Sequence, residues 1–536
     1  MEVCRRLVGA PAGRAIWEGD LPGDVNDYLR RLIWGVVLAL AALITAPSSA
    51  APLVQTSAGA LSGLDMPDGS ALFLGVPYAA PPVGPLRWQV PRLAPAWQGV
   101  KLATQDPPSC PQSNYGAWNA ADAARGQEDC LYLDIRTPRL DPTARLPVLV
   151  WIHGGGNRGG SMRGAPLSVI AGKGIVFVSL QYRLAALGFL AHPALGAEGL
   201  FSNASGNYGL MDQVAALKWV QANIARFGGD PANVTIAGQS AGAQDVGLLN
   251  LTESLRGFYA RAIEESGTAD FGLAPLTLAQ AEAVGQAVAR QAGAPPNATA
   301  AQLRALPVQA LLAAADQVKL PPVGLHDASF IWLAPVVDGI FMTRSPAAIM
   351  AEANQEPIPL LIGVNAREIG LGWPSAQAAM QASFGDATPH ALRLYGLDGP
   401  TPPPADPLLG DSQMQVSTDV VFRCPTVNVA ASQARTGAPV WMYQYERTPA
   451  SGVLSHSSEL ASVFGGSPVS PPGAAAPYSL ADYWAAFVRT GDPNGAGRPH
   501  WSRQTPQARP YMAFTDHGPV HGHDLRAAIC KLNPRF

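Results

Sequence analysis

Charge is scarce in this chain, and neither sign prevails. Asp, Glu, Lys and Arg make up 14% of the 536 residues, with 36 basic side chains against 39 acidic ones. No block of like charges occurs, so no field is strong enough to gather nucleic acid or to hold the protein on an anionic membrane. A fixed-period repeat is also missing, which excludes repeat architectures. The apolar run "LIWGVVLALAALITA", Leu32 to Ala46, has fifteen residues, whereas a spanning helix needs about 20. Arg30 and Arg31 precede that run and the small residues of "PSSAAP" follow it. This is the pattern of a secretory signal, cut near Ala50, with an uncleaved anchor as the alternative. The thirty residues ahead of the run carry mixed charge, long for the basic segment of a signal, which leaves the translation start open. We therefore divide the chain into an N-terminal extension and signal segment, 1–50, and one domain, 51–536.

Cysteine is sparse too, with five in all. Cys4 falls in the segment removed on export, leaving Cys110, Cys130, Cys424 and Cys530, an even set suited to two disulfides in an oxidising compartment. Three pairings are open to four cysteines. Separation along the chain favours a local Cys110–Cys130 clasp, with Cys424 tied to Cys530; four free thiols are the alternative.

Apolar residues, by contrast, are plentiful at 48%, enough for a large core in one elaborated α/β domain or two ordinary ones. "LPVLVWI" (146–152), "GIVFVSLQY" (174–182), "NVTIAG" (233–238), "PIPLLIGV" (357–364) and "PVWMYQY" (439–445) read as strands, several apolar on both faces as buried parallel strands require. Leu210, Val214, Leu217, Val220, Ile224 and Phe227 fall on one helical stripe that ends at "FGGDP". The alternation predicts a parallel sheet with crossover helices. Two helical stretches, roughly 271–330 and 371–435, read as insertions able to roof a pocket. No linker is long enough to separate two domains.

Within this pattern, "TIAGQSAGAQ" (235–244) places Ser240 in a G-x-S-x-G spacing directly after a strand. Small neighbours permit a sharp strand-to-helix reversal that lifts the hydroxyl clear of the backbone. A glycine-rich turn with an incidental serine is the bland alternative. Upstream, "VLVWIHGGGNRGG" ends a second strand in Gly154, Gly155 and Gly156, whose bare NH groups can converge on a ligand oxygen.

With "FLGVPYAAPPVGPLRW", "EDCLYLDI", "WIHGGG", "GNYGLMDQVAALKWVQANIARFGGDPANVTIAGQSAGA", "APVVDG", "HSSEL" and "WAAFVRTGDPN" in this order, the chain resembles the type B carboxylesterases, the cholinesterase-like branch of the α/β-hydrolases. The resemblance runs over nearly all of residues 53–530. It implies an α/β-hydrolase fold: a central, mostly parallel sheet, flanking helices, and helical insertions roofing an active-site gorge. It also implies the disulfides Cys110–Cys130 and Cys424–Cys530 and the ion pairs Arg87–Glu128 and Arg183–Asp212. In the order serine, acid, histidine, Glu368 in "IGVNAREIG" matches the family's acid, although Ile369 stands where a glycine is usual, and His456 matches its base. The resemblance thus implies a secreted serine esterase acting on a small-molecule ester through an acyl-enzyme on Ser240. Gly155, Gly156 and Ala241 would supply the oxyanion NH groups.

This chemistry needs no cofactor and no metal. His153 reads as a turn or pocket-wall residue. His517, His521 and His523, beside Asp516 and Asp524, read as a solvated loop rather than a metal site. A specialised esterase, lactonase or amidase would use the same triad, and a scaffold protein of this fold would lack the nucleophile. Nothing in the sequence sets the oligomeric state, and no membrane partner is expected once the signal is removed. Two departures bear on substrate. Gln239 replaces the glutamate that cholinesterases carry before the nucleophile. Trp118, in the Cys110–Cys130 loop, lies near the position of the family's cation-binding tryptophan, but two more residues separate it from the second cysteine. It reads as loop packing more than as a choline site, and neutral esters are the expected substrates.

Overall fold

The apolar runs read from the sequence lie in an 11-stranded sheet. The structure, a computed structural model, describes residues 51–198, 203–271, 275–318, 334–370 and 375–532. The signal segment lies outside these residues, as do parts of both helical insertions. Residues 51–536 form one compact unit.

In chain order the strands are β1 (Leu64–Asp65), β2 (Ala71–Pro77), β3 (Tyr132–Thr137), β4 (Leu146–Ile152), β5 (Val176–Leu180), β6 (Gly229–Gln239), β7 (Arg261–Glu265), β8 (Leu360–Asn365), β9 (Val440–Tyr445), β10 (Pro510–Thr515) and β11 (Gly518–His523). Across the sheet they run β11-β10-β9-β8-β7-β6-β4-β5-β3-β2-β1. The pairs from β10 to β5 are parallel. Those at the two margins are antiparallel. Parallel strands covered on both faces read as continuous apolar runs, and β4, β5, β8 and β9 are buried along most or all of their length. The fold is that of the α/β-hydrolases.

Boundaries differ from the sequence reading where capping and edge effects intervene. β5 stops at Leu180, short of Tyr182. β6 is longer than "NVTIAG", beginning at Gly229. Helix α1 (Tyr208–Asn223) tightens into a 3₁₀ turn, Ile224–Phe227, and ends at Gly228, whose φ of 83° is left-handed. α1 is buried well beyond its apolar stripe, Asp212 and Gln213 included, while Val214 is only partly covered. Asp212 is held by Arg183 at 2.7 Å, and Arg87 meets Glu128 at 2.6 Å, so both expected ion pairs form.

Cys110 joins Cys130, and Cys424 joins Cys530. Helix α2 (Ala241–Asn250) leaves the end of β6, and α3 (Leu278–Gln291) opens the first insertion. The second insertion includes α4 (Ala376–Phe384) and α5 (Cys424–Arg435), the latter preceded by a π-helical turn at Thr418–Arg423. Among the described residues no helix is long and apolar enough to cross a membrane.

Candidate active site

The parallel strands β4, β6, β8 and β9 all end on the same side of the sheet, and the next loops carry Gly154–Gly156, Ser240, Glu368 and His456, the residues singled out by the sequence. Ser240 sits between β6 and α2 with φ 58° and ψ −127°, a region that L residues avoid. Such strain persists only where the surroundings over-determine it. Ser240 N–H donates to Glu265 O at 2.8 Å, which extends the β6–β7 pairing one residue past the strand. The small residues around the turn are equally constrained. A Cβ on Gly238 would come within 2.4 Å of the Gly242 backbone, and one on Gly154 would come within 2.5 Å of Gln239 O. G-x-S-x-G here is thus a steric requirement of a reversal packed against a second strand end.

Gly155 and Gly156 follow β4 with φ of 112° and 66°, values that glycine adopts without penalty. In the turns and caps, the NH groups of Gly155, Gly156 and Ala241 are donated to no described acceptor. The Ala241 NH belongs to the first turn of α2, where backbone donors have no partner within the helix and anions are favoured. Three free donors from two elements therefore border Ser240.

Glu368 and His456 come together from loops 88 residues apart, with His456 Nδ1 donating to Glu368 Oε2 at 2.5 Å. Glu368 is fully buried, and its other oxygen accepts Asn365 N–H at 2.8 Å. Its own N–H donates to Thr418 Oγ1 at 3.1 Å, so the π-helical turn steadies the acid loop. Phe422 of the same turn packs on the His456 ring at a centroid distance of 5.1 Å. Burial opposes a charged His456, but the Glu368 carboxylate and its hydrogen bond outweigh it and hold the imidazole above its ordinary value. Ile369, in place of the usual glycine, points partly to solvent and leaves this arrangement intact.

His456 Nε2 faces Gln239 Nε2 at 3.2 Å, and no hydrogen bond joins it to Ser240 in this conformation. With Nδ1 protonated toward Glu368, the Nε2 lone pair accepts from the Gln239 amide. Contacts of this kind commonly tighten only once substrate is present. Trp118 is 58% exposed and stacks on Tyr115, and its ring edge lies 2.9 Å from where a Gly159 Cβ would be. It belongs to the rim beside the glycine loop. His153 is buried against Tyr182 with Nδ1 toward Gly154 O, and burial lowers its pKa to about 4, so it stands in the wall as a neutral ring. His521 and His523 lie exposed on the marginal strand β11. A cleft of about 350 Å³ at the far end of α2, bordered by Leu248, Leu251, Phe341 and Arg344, includes none of the residues singled out above.

Sequence reasoning missed a second carboxyl. Glu459, three residues after His456, is buried and accepts Asn365 Nδ2 at 2.5 Å, and Asn365 also reaches Glu368. Burial first, and then the Glu368 carboxylate, pushes it up to about 7. The helical spacing His456-x-x-Glu459 was the available signal. Asp245, Asn157 and Thr418 were missed as well, and nothing in their local pattern distinguishes them.

Comparison with known proteins bears on the family and the fold. The model of the carboxylesterase family matches residues 50–388 and 407–532. Liver carboxylesterase 1 of Oryctolagus cuniculus is 34% identical over 534 residues, 88% of this chain and 91% of the relative. Liver carboxylesterase of Sus scrofa is 34% identical with the same coverage. Among solved structures, a PNB esterase superposes with a TM-score of 0.76 at 29% identity, covering 90% of this chain and 99% of its own.

The packing makes one substitution informative. A Cβ on Gly242 would sit 2.2 Å from Ile152 O, so Gly242→Ala must push α2 away from the end of β4. Overpacking of this kind costs about 1–3 kcal/mol. Thermal unfolding should show that loss and ester hydrolysis should fall with it; full stability and full activity would contradict the packing.

Proposed function

Because the chain belongs to the carboxylesterase family and is a carboxylic ester hydrolase, we propose that it acts on neutral esters through a Ser240–His456–Glu368 triad and is exported from the cytoplasm. The observation that carries the mechanism is the 2.5 Å bond from His456 Nδ1 to Glu368, placed beside a serine on a strained strand-to-helix turn. Glu368 fixes the tautomer that leaves Nε2 free to take a proton and offsets the imidazolium that results. Ser240 Oγ attacks the ester carbonyl as its proton passes to Nε2, and the Gly155, Gly156 and Ala241 NH groups receive the oxyanion. His456 then protonates the departing alcohol, and water repeats the sequence on the acyl-enzyme.

Export rests on the apolar N-terminal run and on the two disulfides, which persist in oxidising compartments. Preference for neutral substrates rests on Gln239. A carboxylate at that position, about 5 Å from a substrate cation, would contribute on the order of 3 kcal/mol at an effective dielectric of 20. The exposed Trp118 can return about 1 kcal/mol by cation–π contact.

Three outcomes follow. Ser240→Ala should lower turnover about a million-fold without unfolding the protein; retention of most activity would remove the assignment. The acid limb of kcat/KM should lie above the ordinary imidazole value of about 6.5, since His456 must be neutral to act, and Glu368→Gln should move the limb to lower pH while reducing the maximum. A limb that stays in place would separate Glu368 from the base. Finally, butyrylthiocholine should be preferred over its uncharged dimethylbutyl isostere by less than about tenfold in kcat/KM, or 1.4 kcal/mol, and Gln239→Glu should raise that ratio.

A further inference from the structure

The free NH groups beside Ser240 come from two separate elements, Gly155 and Gly156 from the loop after β4 and Ala241 from α2. The β4–β6 pairing brings the two strand ends together as far as Ile152 and Gly238, but beyond it the glycine loop and the helix are separate segments whose mutual position also depends on side-chain links. Asp245 lies four residues beyond Ala241 on α2, hence on the same helix face. It is fully buried, and among the described residues its side-chain partners are two neutral amides and no cation. Asn157 Nδ2 donates to Oδ1 at 2.9 Å, and Gln213 Nε2 from α1 donates to Oδ2 at 2.6 Å.

Asn157 immediately follows Gly156, has a left-handed φ of 56°, and is itself buried. Its Oδ1 accepts Tyr182 OH at 3.0 Å and its carbonyl accepts Ala185 N–H at 2.7 Å. Every polar side-chain atom of the residue that closes the glycine loop is therefore engaged, and the bond to Asp245 carries the constraint to the nucleophile helix. A carboxylate without a cation is a costly choice for packing alone, and burial pushes this one up to about 7.

Resting on the oxyanion assignment above, we propose that Asp245 and Asn157 form a positioning pair that locks the glycine loop to the nucleophile helix and so sets the two halves of the oxyanion hole for ester hydrolysis. Donors must stand about 2.7–3.1 Å from the developing oxyanion, and a displacement of about 1 Å can remove 100-fold in rate.

The test compares Asp245→Leu, Asp245→Asn and Asn157→Gly in the full chain, with Ser240→Ala alongside. The glycine keeps the left-handed backbone and removes only the side-chain link. Each variant is assayed for kcat, KM and inhibition by an alkyl trifluoromethyl ketone, whose tetrahedral serine adduct places an oxyanion in the hole. Asp245→Leu and Asn157→Gly should lower kcat/KM and ketone affinity together by about 10–100-fold, mainly through kcat. Their combination should be little worse than either alone, as expected for two ends of one link. Asp245→Asn should recover most of the loss, because Gln213 Oε1 has no partner and can accept the new amide once the Gln213 side chain flips. Wild-type kcat/KM in Asn157→Gly or in folded Asp245→Leu overturns the proposal, as does lost activity with unchanged ketone affinity. If Ser240→Ala retains activity, the oxyanion assignment itself fails; if it is inactive while Asn157→Gly is normal, only the positioning pair fails.

Discussion

Everything at this site depends on one backbone constraint: the chain must reverse between Gln239 and Ala241 while Ser240 holds φ 58° and ψ −127°. That conformation survives because the ends of β4, β6 and β7 and helix α2 close on it. Gly267 offers a further example, since a Cβ there would stand 2.1 Å from Ser240 O. The reversal places the hydroxyl at the carboxyl end of a parallel sheet and at the start of a helix, where free NH groups already favour negative charge. The small residues are therefore the condition for the chemistry, and the catalytic side chains are additions to it.

A second theme is the concentration of desolvated carboxyls around the triad. Glu265 accepts Trp484 Nε1 at 2.7 Å and leaves its other oxygen unpartnered. Glu264 is pushed up to about 8 by burial. Burial likewise disfavours the charged forms of Glu265, Glu459 and Asp245, a cost that the surrounding core must offset. The same low-dielectric setting strengthens the interaction of Glu368 with His456 and of free NH groups with an oxyanion. Stability and activity are thus in tension at this end of the sheet.

Legibility in the sequence followed the range of the interactions. Strands β4, β5, β6, β8 and β9 and helix α1 were readable because burial on both faces writes continuous apolar runs and regular stripes. Central β7 was not, since its RAIEE carries Arg261, Glu264 and Glu265 in place of an apolar run. Ser240 and the glycine triplet were readable because steric demands there are local. The marginal strands were not: β2 carries Gly75 with φ 72° and ends in Pro77, and β1 has only two residues, so neither shows alternation. Glu368 and His456 could be chosen from among many acids and nine histidines only through resemblance. Asp245, Asn157 and Thr418 act across elements far apart in the chain, and no local pattern announces such contacts.

The central claim is that the strained turn delivers one activated nucleophile, Ser240. Labelling the protein with a fluorophosphonate and mapping the adduct by peptide mass spectrometry tests it directly. The account predicts one equivalent of label, all of it on the peptide containing Ser240, with hydrolysis lost in proportion. Label on another residue, or full inactivation with Ser240 unmodified, would contradict it.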